Sequence, residues 1–170
     1  MGYRIEYSTV PREFVLADQS QIINLQEEFM TEFFPEFAND PRKYEWNADV
    51  YSIHEHYIEK GGKVWVVEFG ANIVGFGCLR QVNFNTAEIK RVRINHQHRG
   101  KGLGKSIIKK MENYCTSSNI SRVLVDTDDR LEMAKSLYSG MGYVVYRTET
   151  EVKDGREYTD HYYEKILHHA

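Results

Sequence analysis

No stretch of the 170 residues stays apolar long enough to cross a bilayer, which excludes a membrane-spanning helix as the organising element. Charge of one sign is not in excess either. The 22 Lys and Arg stand against 25 Asp and Glu, and a formal net charge of -3 gives no electrostatic case for nucleic acid or an anionic membrane. Cysteine is scarce: Cys78 and Cys115 both fall in apolar patterns and are expected to be core thiols of a reducing compartment, although spacing alone leaves a pair open. Met1 to Tyr7 carries Arg4 and Glu6 where a signal peptide would be apolar, so the expected location is cytoplasmic. Linkers, low-complexity runs and internal repeats are missing as well. With 41% hydrophobic residues, one compact domain over 1–170 is the expectation.

What is present is a succession of short periodic segments. Tyr3-Arg4-Ile5-Glu6-Tyr7 alternates like a strand. Asp18 and Gln21 are spaced as a capping box before a helix with Ile22, Leu25, Phe29 and Phe33 on one face, stopped before Pro35. Ala48 to Lys60 predicts a second helix, with Val50, Ile53 and Tyr57 inward and Gly61-Gly62 as its stop. Lys63 to Phe69 and Ile73 to Val82 predict a hairpin turning at Gly70-Ala71-Asn72, and Thr86 to Ile94 the next strand. Leu103, Ile107, Ile108, Met111 and Cys115 recur at helical spacing. A strand at Arg122 to Asp126, a helix around Leu131 to Ser139 and a hairpin from Tyr143 to Ile166 close the chain. The order is β-α-α-β-β-β-α-β-α-β-β.

Between the Thr86 to Ile94 strand and the helix opened by Leu103 lies Arg99-Gly100-Lys101-Gly102-Leu103-Gly104. A glycine-rich turn at that junction aims backbone N–H groups at one spot, at the positive end of a helix dipole, which suits phosphate. The same residues also make an ordinary basic turn. A P-loop would need glycine where Arg99 stands, and a dinucleotide fingerprint would need glycine at Lys105.

The pattern that fits is R-x-x-G-x-G, and it resembles the pyrophosphate loop of the GNAT superfamily of acyl-CoA-dependent N-acyltransferases. Ala134-x-x-x-Tyr138-x-x-x-Gly142-Tyr143 is similar to that family's second signature, although locally it is also just a core tyrosine on a helix stopped by glycine. One departure stands out: Leu131 occupies a position where many members carry a cofactor-contacting asparagine.

The resemblance implies a mixed α/β fold with one central sheet and helices on both faces. It implies acetyl-CoA as co-substrate without a metal, and a small-molecule or peptide amine as acceptor. Pyrophosphate would dock on Arg99, Gly100, Lys101, Gly102, Leu103, Gly104 and Lys105, and the pantetheine arm along Val92, Arg93 and Ile94. The Val92 N–H would face the acyl carbonyl. Tyr138 would be the general acid. Glu88, in an Ala87-Glu88-Ile89 run, would be the general base, although a strand glutamate paired with Lys90 or Arg91 is the plainer role. Phe37, Tyr44 and Trp46 become candidate acceptor contacts, and Glu28, Glu32, Glu36 and Asp40 could draw in a cationic amine. His54-x-His56 and His96-x-His98 lack the further ligands a metal would need. Related folds often pair through their last strands, which allows a homodimer. The competing expectation is a non-catalytic acyl-CoA sensor.

Overall fold

The computed structural model describes residues 7–168. One seven-stranded sheet runs in the order β1-β2-β3-β4-β5-β7-β6. Its strands are β1 (Tyr7–Glu13), β2 (Lys63–Phe69), β3 (Asn72–Asn83), β4 (Thr86–Ile94), β5 (Arg122–Asp128), β6 (Val144–Lys153) and β7 (Arg156–Ile166). Every neighbouring pair is antiparallel except β4 and β5. Helices α1 (Gln19–Phe33) and α2 (Ala48–Tyr51) cover one face, and α3 (Leu103–Ser117) and α4 (Glu132–Gly140) the other.

Strand alternation divides the core in two. On β2, Val64 and Val66 join Ile22, Leu25, Val50, Ile53 and Tyr57, while Trp65 and Val67 join Leu103, Ile107, Ile108 and Met111. A strand buried on both faces carries an unbroken apolar run, as Val64 to Val67 does. Cys78 and Cys115 are free and buried on opposite faces, so the alternative of a disulfide between them falls away. The hairpins and strands expected from Lys63 onward form within two residues of their expected ends.

Two local expectations need correction, and a third falls almost wholly outside the described residues. The strand assigned to Tyr3 to Tyr7 lies outside the described residues except for Tyr7; the observed β1 runs from there to Glu13 as an edge strand. Its register breaks between Ser8 and Arg12, where Pro11 removes a donor. Asp18 does not cap α1. Its carboxylate accepts from the Val15 N–H at 2.9 Å and from Arg12 at 2.8 and 2.9 Å, while Gln21 accepts from the Ile73 N–H.

The helix expected over Ala48 to Lys60 stops at Tyr51. The backbone swings out at Ser52 (φ -150°, ψ 66°) and resumes as a wide turn over His54–Ile58. The side-chain amide of Gln19 makes this break tolerable: it donates to Val50 O at 2.8 Å and accepts from the Ile53 N–H at 3.0 Å. Val50, Ile53 and Tyr57 are buried all the same.

The sheet's decisive irregularity is on β4. Cys78 faces Lys90 and Phe76 faces Arg93, so Gly77 alone opposes both Arg91 and Val92. Arg91 is the extra residue of a β-bulge, at φ 58°, where side chains are uncommon. One extra residue reverses the parity of all that follow. Ala87 and Ile89 face the α3 side, and beyond the bulge so do Val92 and Ile94. Arg93 is thereby turned to the α1 side, against Gln26 and Phe29.

The bulge is held by charge. Arg91 donates to Asp49 through Nε at 3.1 Å and Nη2 at 2.9 Å, and Nη2 also reaches Trp46 O. Burial pushes the Asp49 pKa up, but the charge and hydrogen bonds of Arg91, with the Tyr57 hydroxyl, reverse this, and the carboxyl ends below its ordinary value. Replacing Asp49 by Asn strands a largely buried guanidinium, so Asp49→Asn should cost about 3 kcal/mol in urea unfolding at neutral pH. Because the folded pKa is depressed, the aspartate's contribution is complete above its unfolded value and is lost as pH falls towards the folded one. The gap between the two proteins should therefore close in acid.

Candidate active site

The β4–β5 ladder is parallel from Thr86↔Arg122 to Ile89↔Val125 and then ends, although the strands continue to Ile94 and Asp128. Beyond that point they part, and a cavity of about 750 Å³ fills the opening. Its walls are the far half of β4, the end of β5, residues 98–105, the start and inner face of α4, the C-terminal half of α1 and parts of β6 and β7.

Residues 98–105 reach α3 through two left-handed glycines, Gly100 (φ 74°) and Gly102 (φ 78°), the latter capping the helix. The first N–H groups of α3 have no partner within the helix and sit at this mouth. Gly104 answers a different demand: a Cβ there would meet Leu137 Cδ2 at 3.2 Å, so its bareness lets α4 approach. Arg99, Gly100, Gly102, Leu103, Gly104 and Lys105 line the cavity, and Lys101 does not. The Arg99 guanidinium is engaged away from the loop. Both its Nη atoms donate to Glu32 at 2.7 Å and its Nε to Ile94 O at 3.1 Å, so it ties the loop to α1.

Tyr138 comes from α4, 5% exposed, packed against Tyr143 and Tyr163 with ring centroids 5.9 Å away in each case. Its hydroxyl has no hydrogen-bond partner among the described residues. Burial raises the phenol's pKa, Asp126 and Tyr163 add to this, and the Arg93 charge opposes it; the group stays protonated. Met133, also on α4, is 62% exposed and lines the cavity.

Glu88 is not among the lining residues. Its carboxylate is bound by Arg80 (Nε, 2.6 Å), its register partner on β3, and by Lys90 (Nζ, 3.1 Å), which itself lines the cavity. The structure therefore does not bring Glu88 together with Tyr138. The Arg93 side chain lies on the opposite face of β4 from Val92 and Ile94 and also lines the cavity.

The carboxylates that do line the cavity are others. Asp126 accepts from Lys90 Nζ at 2.6 Å, and Asp128 from Arg130 Nε at 3.0 Å. Asp160, on β7 opposite Asp128, has no ion pair among the described residues. Burial, then Asp126, Asp128 and Glu151, push its pKa above the ordinary value. The sequence carried a signal for these in Asp126-Thr127-Asp128 at the C-terminal end of a strand, where open α/β sheets place ligands.

Several expected attractions are neutralised locally. Glu28 takes Asn95 and His96, Glu32 takes Arg99, and Glu36 takes Arg130. Phe37 and Trp46 line the cavity, and Tyr44 supports both from behind at 5.1 and 5.5 Å. Among the described residues no group of three or more His, Cys, Asp or Glu could hold a metal ion, and no helix is long and apolar enough to cross a membrane.

Fold and cavity together define a mixed α/β domain with a phosphate-type turn at the mouth of a cleft between two parting parallel strands. Residues 22–143 match the model of the acetyltransferase (GNAT) family, and the chain belongs to that family. N-acetyltransferase family 8 member 2 of Rattus norvegicus is 28% identical over 101 residues, covering 56% of this chain and 45% of the relative. N-acetylaspartate synthetase of Homo sapiens is 28% identical over 99 residues, covering 57% of this chain and 33% of the relative. The chain thus matches less than half the length of either. Among solved structures, an N-acetyltransferase from Staphylococcus aureus Mu50 superposes with a TM-score of 0.80 at 15% identity, covering 96% of this chain and 99% of that one. A Salmonella typhimurium protein solved with its cofactor acetyl-CoA gives 0.76 at 17%, covering 94% of each.

The turn's glycines are required by conformation, not by space. Nothing lies within 4 Å of a Cβ added at Gly100 or Gly102. Gly100→Ala and Gly102→Ala should each still lower stability by about 1–2 kcal/mol, read by thermal unfolding, because the left-handed backbone persists.

Proposed function

We propose that this domain transfers the acetyl group of acetyl-CoA to a primary amine by direct attack in a ternary complex. The observation that carries this is the opening between β4 and β5, with a helix-capping glycine turn at one end and unpaired acid and base groups at the other. The residues fit the co-substrate: the N–H groups at the start of α3 suit its pyrophosphate, and the unladdered edge from Val92 to Ile94 suits its pantetheine arm. Val92 N–H is the donor proposed for the acyl carbonyl. The thioester supplies the acetyl group; the chain's residues do the rest.

An alkyl amine is a cation at neutral pH, with a reference pKa near about 10.4, and only its free base attacks. Asp160 is placed to take the proton, directly or through a water, since a carboxylate with a raised pKa and no fixed partner is a better acceptor than one already paired. Tyr138, held protonated by burial, is placed to give a proton to the departing thiolate. We assign the base role to Asp160 rather than to Glu88, because Asp160 lines the cavity without an ion pair among the described residues while Glu88 is held by Arg80 and Lys90. The acceptor is a small-molecule or peptide amine; the name of the human relative, N-acetylaspartate synthetase, is compatible with an amino acid. The exposed edge strand β6, with Val144, Val145 and Tyr146 at the surface, is the face proposed for a homodimer.

Thiol release from acetyl-CoA across a panel of amines tests the activity. Tyr138→Phe should lower kcat by about 10²-fold or more while acetyl-CoA binding persists. Asp160→Asn should cost a similar factor and abolish the acid limb of kcat/KM. The raised pKa means that ionised Asp160 costs folding free energy above that pKa, so Asp160→Asn should leave stability at neutral pH equal or higher. Acetyl-CoA binding with no amine turned over would favour a sensor.

A further inference from the structure

Arg93 is the one cavity-lining arginine without a carboxylate among the described residues. Arg91 holds Asp49, Arg99 holds Glu32, and Arg130 holds Glu36 and Asp128. Arg93 donates only to neutral oxygens, through Nε to Gln26 Oε1 at 3.0 Å and through Nη1 to Val92 O at 3.1 Å. Three of its five N–H groups, including both on Nη2, have no partner among the described residues.

The guanidinium is nevertheless carefully fixed. Pro41 O accepts from Asn47 Nδ2 at 3.1 Å, Asn47 Oδ1 from Gln26 Nε2 at 2.9 Å, and Gln26 Oε1 from Arg93. Gln26 and Asn47 are completely buried. Below the guanidinium lies the Phe29 ring, 3.6 Å from Cζ to centroid. A relay of buried amides and an aromatic floor thus orient a cation for which the fold provides no counter-ion. Burial, then the Arg91 charge, push its pKa down to about 10, so the group is still charged at neutral pH.

Beside it the cavity wall is aromatic. Phe29, Phe33, Phe34, Phe37, Trp46 and Tyr158 all line it, in contacts such as Phe29–Phe34 at 5.7 Å and Phe37–Tyr158 at 5.8 Å. Asp126 and Asp160 border the same space.

Building on the acetyltransferase function proposed above, we infer that the acceptor is an α-amino acid or a peptide-like amine with a free carboxylate and a bulky apolar side chain, its carboxylate docking on Arg93. The amine then faces the carboxylates and the side chain rests on the aromatic wall. A carboxylate on Nη1 and Nη2 supplies the charge the fold withholds, with geometry a lysine does not match.

Phenylalanine and phenethylamine differ by that carboxylate alone. The natural protein should acetylate phenylalanine with a kcat/KM at least 100-fold above that of phenethylamine. Arg93→Gln should remove most of this preference by raising the KM for phenylalanine; Arg93→Lys should restore only part of it. Equal use of the two amines, or equal losses for both in Arg93→Gln, would overturn the inference while leaving acetyl transfer intact. Binding gives a readout free of turnover. Quenching of Trp46 fluorescence by N-acetylphenylalanine should weaken at least tenfold in Arg93→Gln and vanish in Trp46→Phe, while circular dichroism shows the variants folded. Undiminished quenching in a folded Arg93→Gln protein would overturn it as well.

Discussion

The ion pair between Arg91 and Asp49 is the constraint on which the rest of the site depends. It holds a residue with a side chain in left-handed backbone, a conformation that costs free energy and persists only where its surroundings enforce it. The consequence is a change of parity. Upstream of Arg91, β4 is an ordinary internal strand with Ala87 and Ile89 in the α3-side core. Downstream, Val92 and Ile94 are returned to that core and Arg93 faces α1. A regular strand would drive Arg93 into the apolar layer under α3, where its charge would find no partner and no water.

The bulge also coincides with the end of β4–β5 pairing, so one local event produces both the opening and its two chemically different ends. At the mouth, glycines present backbone N–H groups and Arg99 ties the turn to α1 through Glu32. At the inner end, the Phe29 ring lies against Arg93, and Asp126 and Asp160 line the same cavity as Tyr138. Most charges in the cavity are matched in pairs, which makes the unmatched ones informative. A cation without a counter-ion and a carboxylate with a raised pKa are two halves of a complement to a zwitterion.

Much of the fold was legible because its signals are local. Gly70-Ala71-Asn72 and Lys153-Asp154-Gly155-Arg156 punctuate their hairpins, and Leu103, Ile107, Ile108, Met111 and Cys115 mark the buried stripe of α3 as their spacing requires. The glycine turn was equally readable, since Gly100 and Gly102 are needed for backbone conformation alone. What failed was set by distant partners. Gln19 supplies the hydrogen bonds that let the chain break at Ser52, and no residue near Ser52 announces it. The bulge at Arg91 depends on Asp49, 42 residues away, and without it alternation puts Arg93 on the wrong face. The position of Glu88 along β4 was legible, while its pairing with Arg80 across the sheet was not.

A crystal structure of the protein with CoA tests the division of the cavity most directly. The pantetheine should lie along the backbone of Val92 to Ile94 on the parted edge of β4, its sulfur near Tyr138 and its pyrophosphate at the N-terminus of α3, with the Arg93 guanidinium and the aromatic wall free of it. CoA phosphates on the Arg93 guanidinium, or the pantetheine among Phe29, Phe37 and Trp46, would contradict the assignment of the two ends.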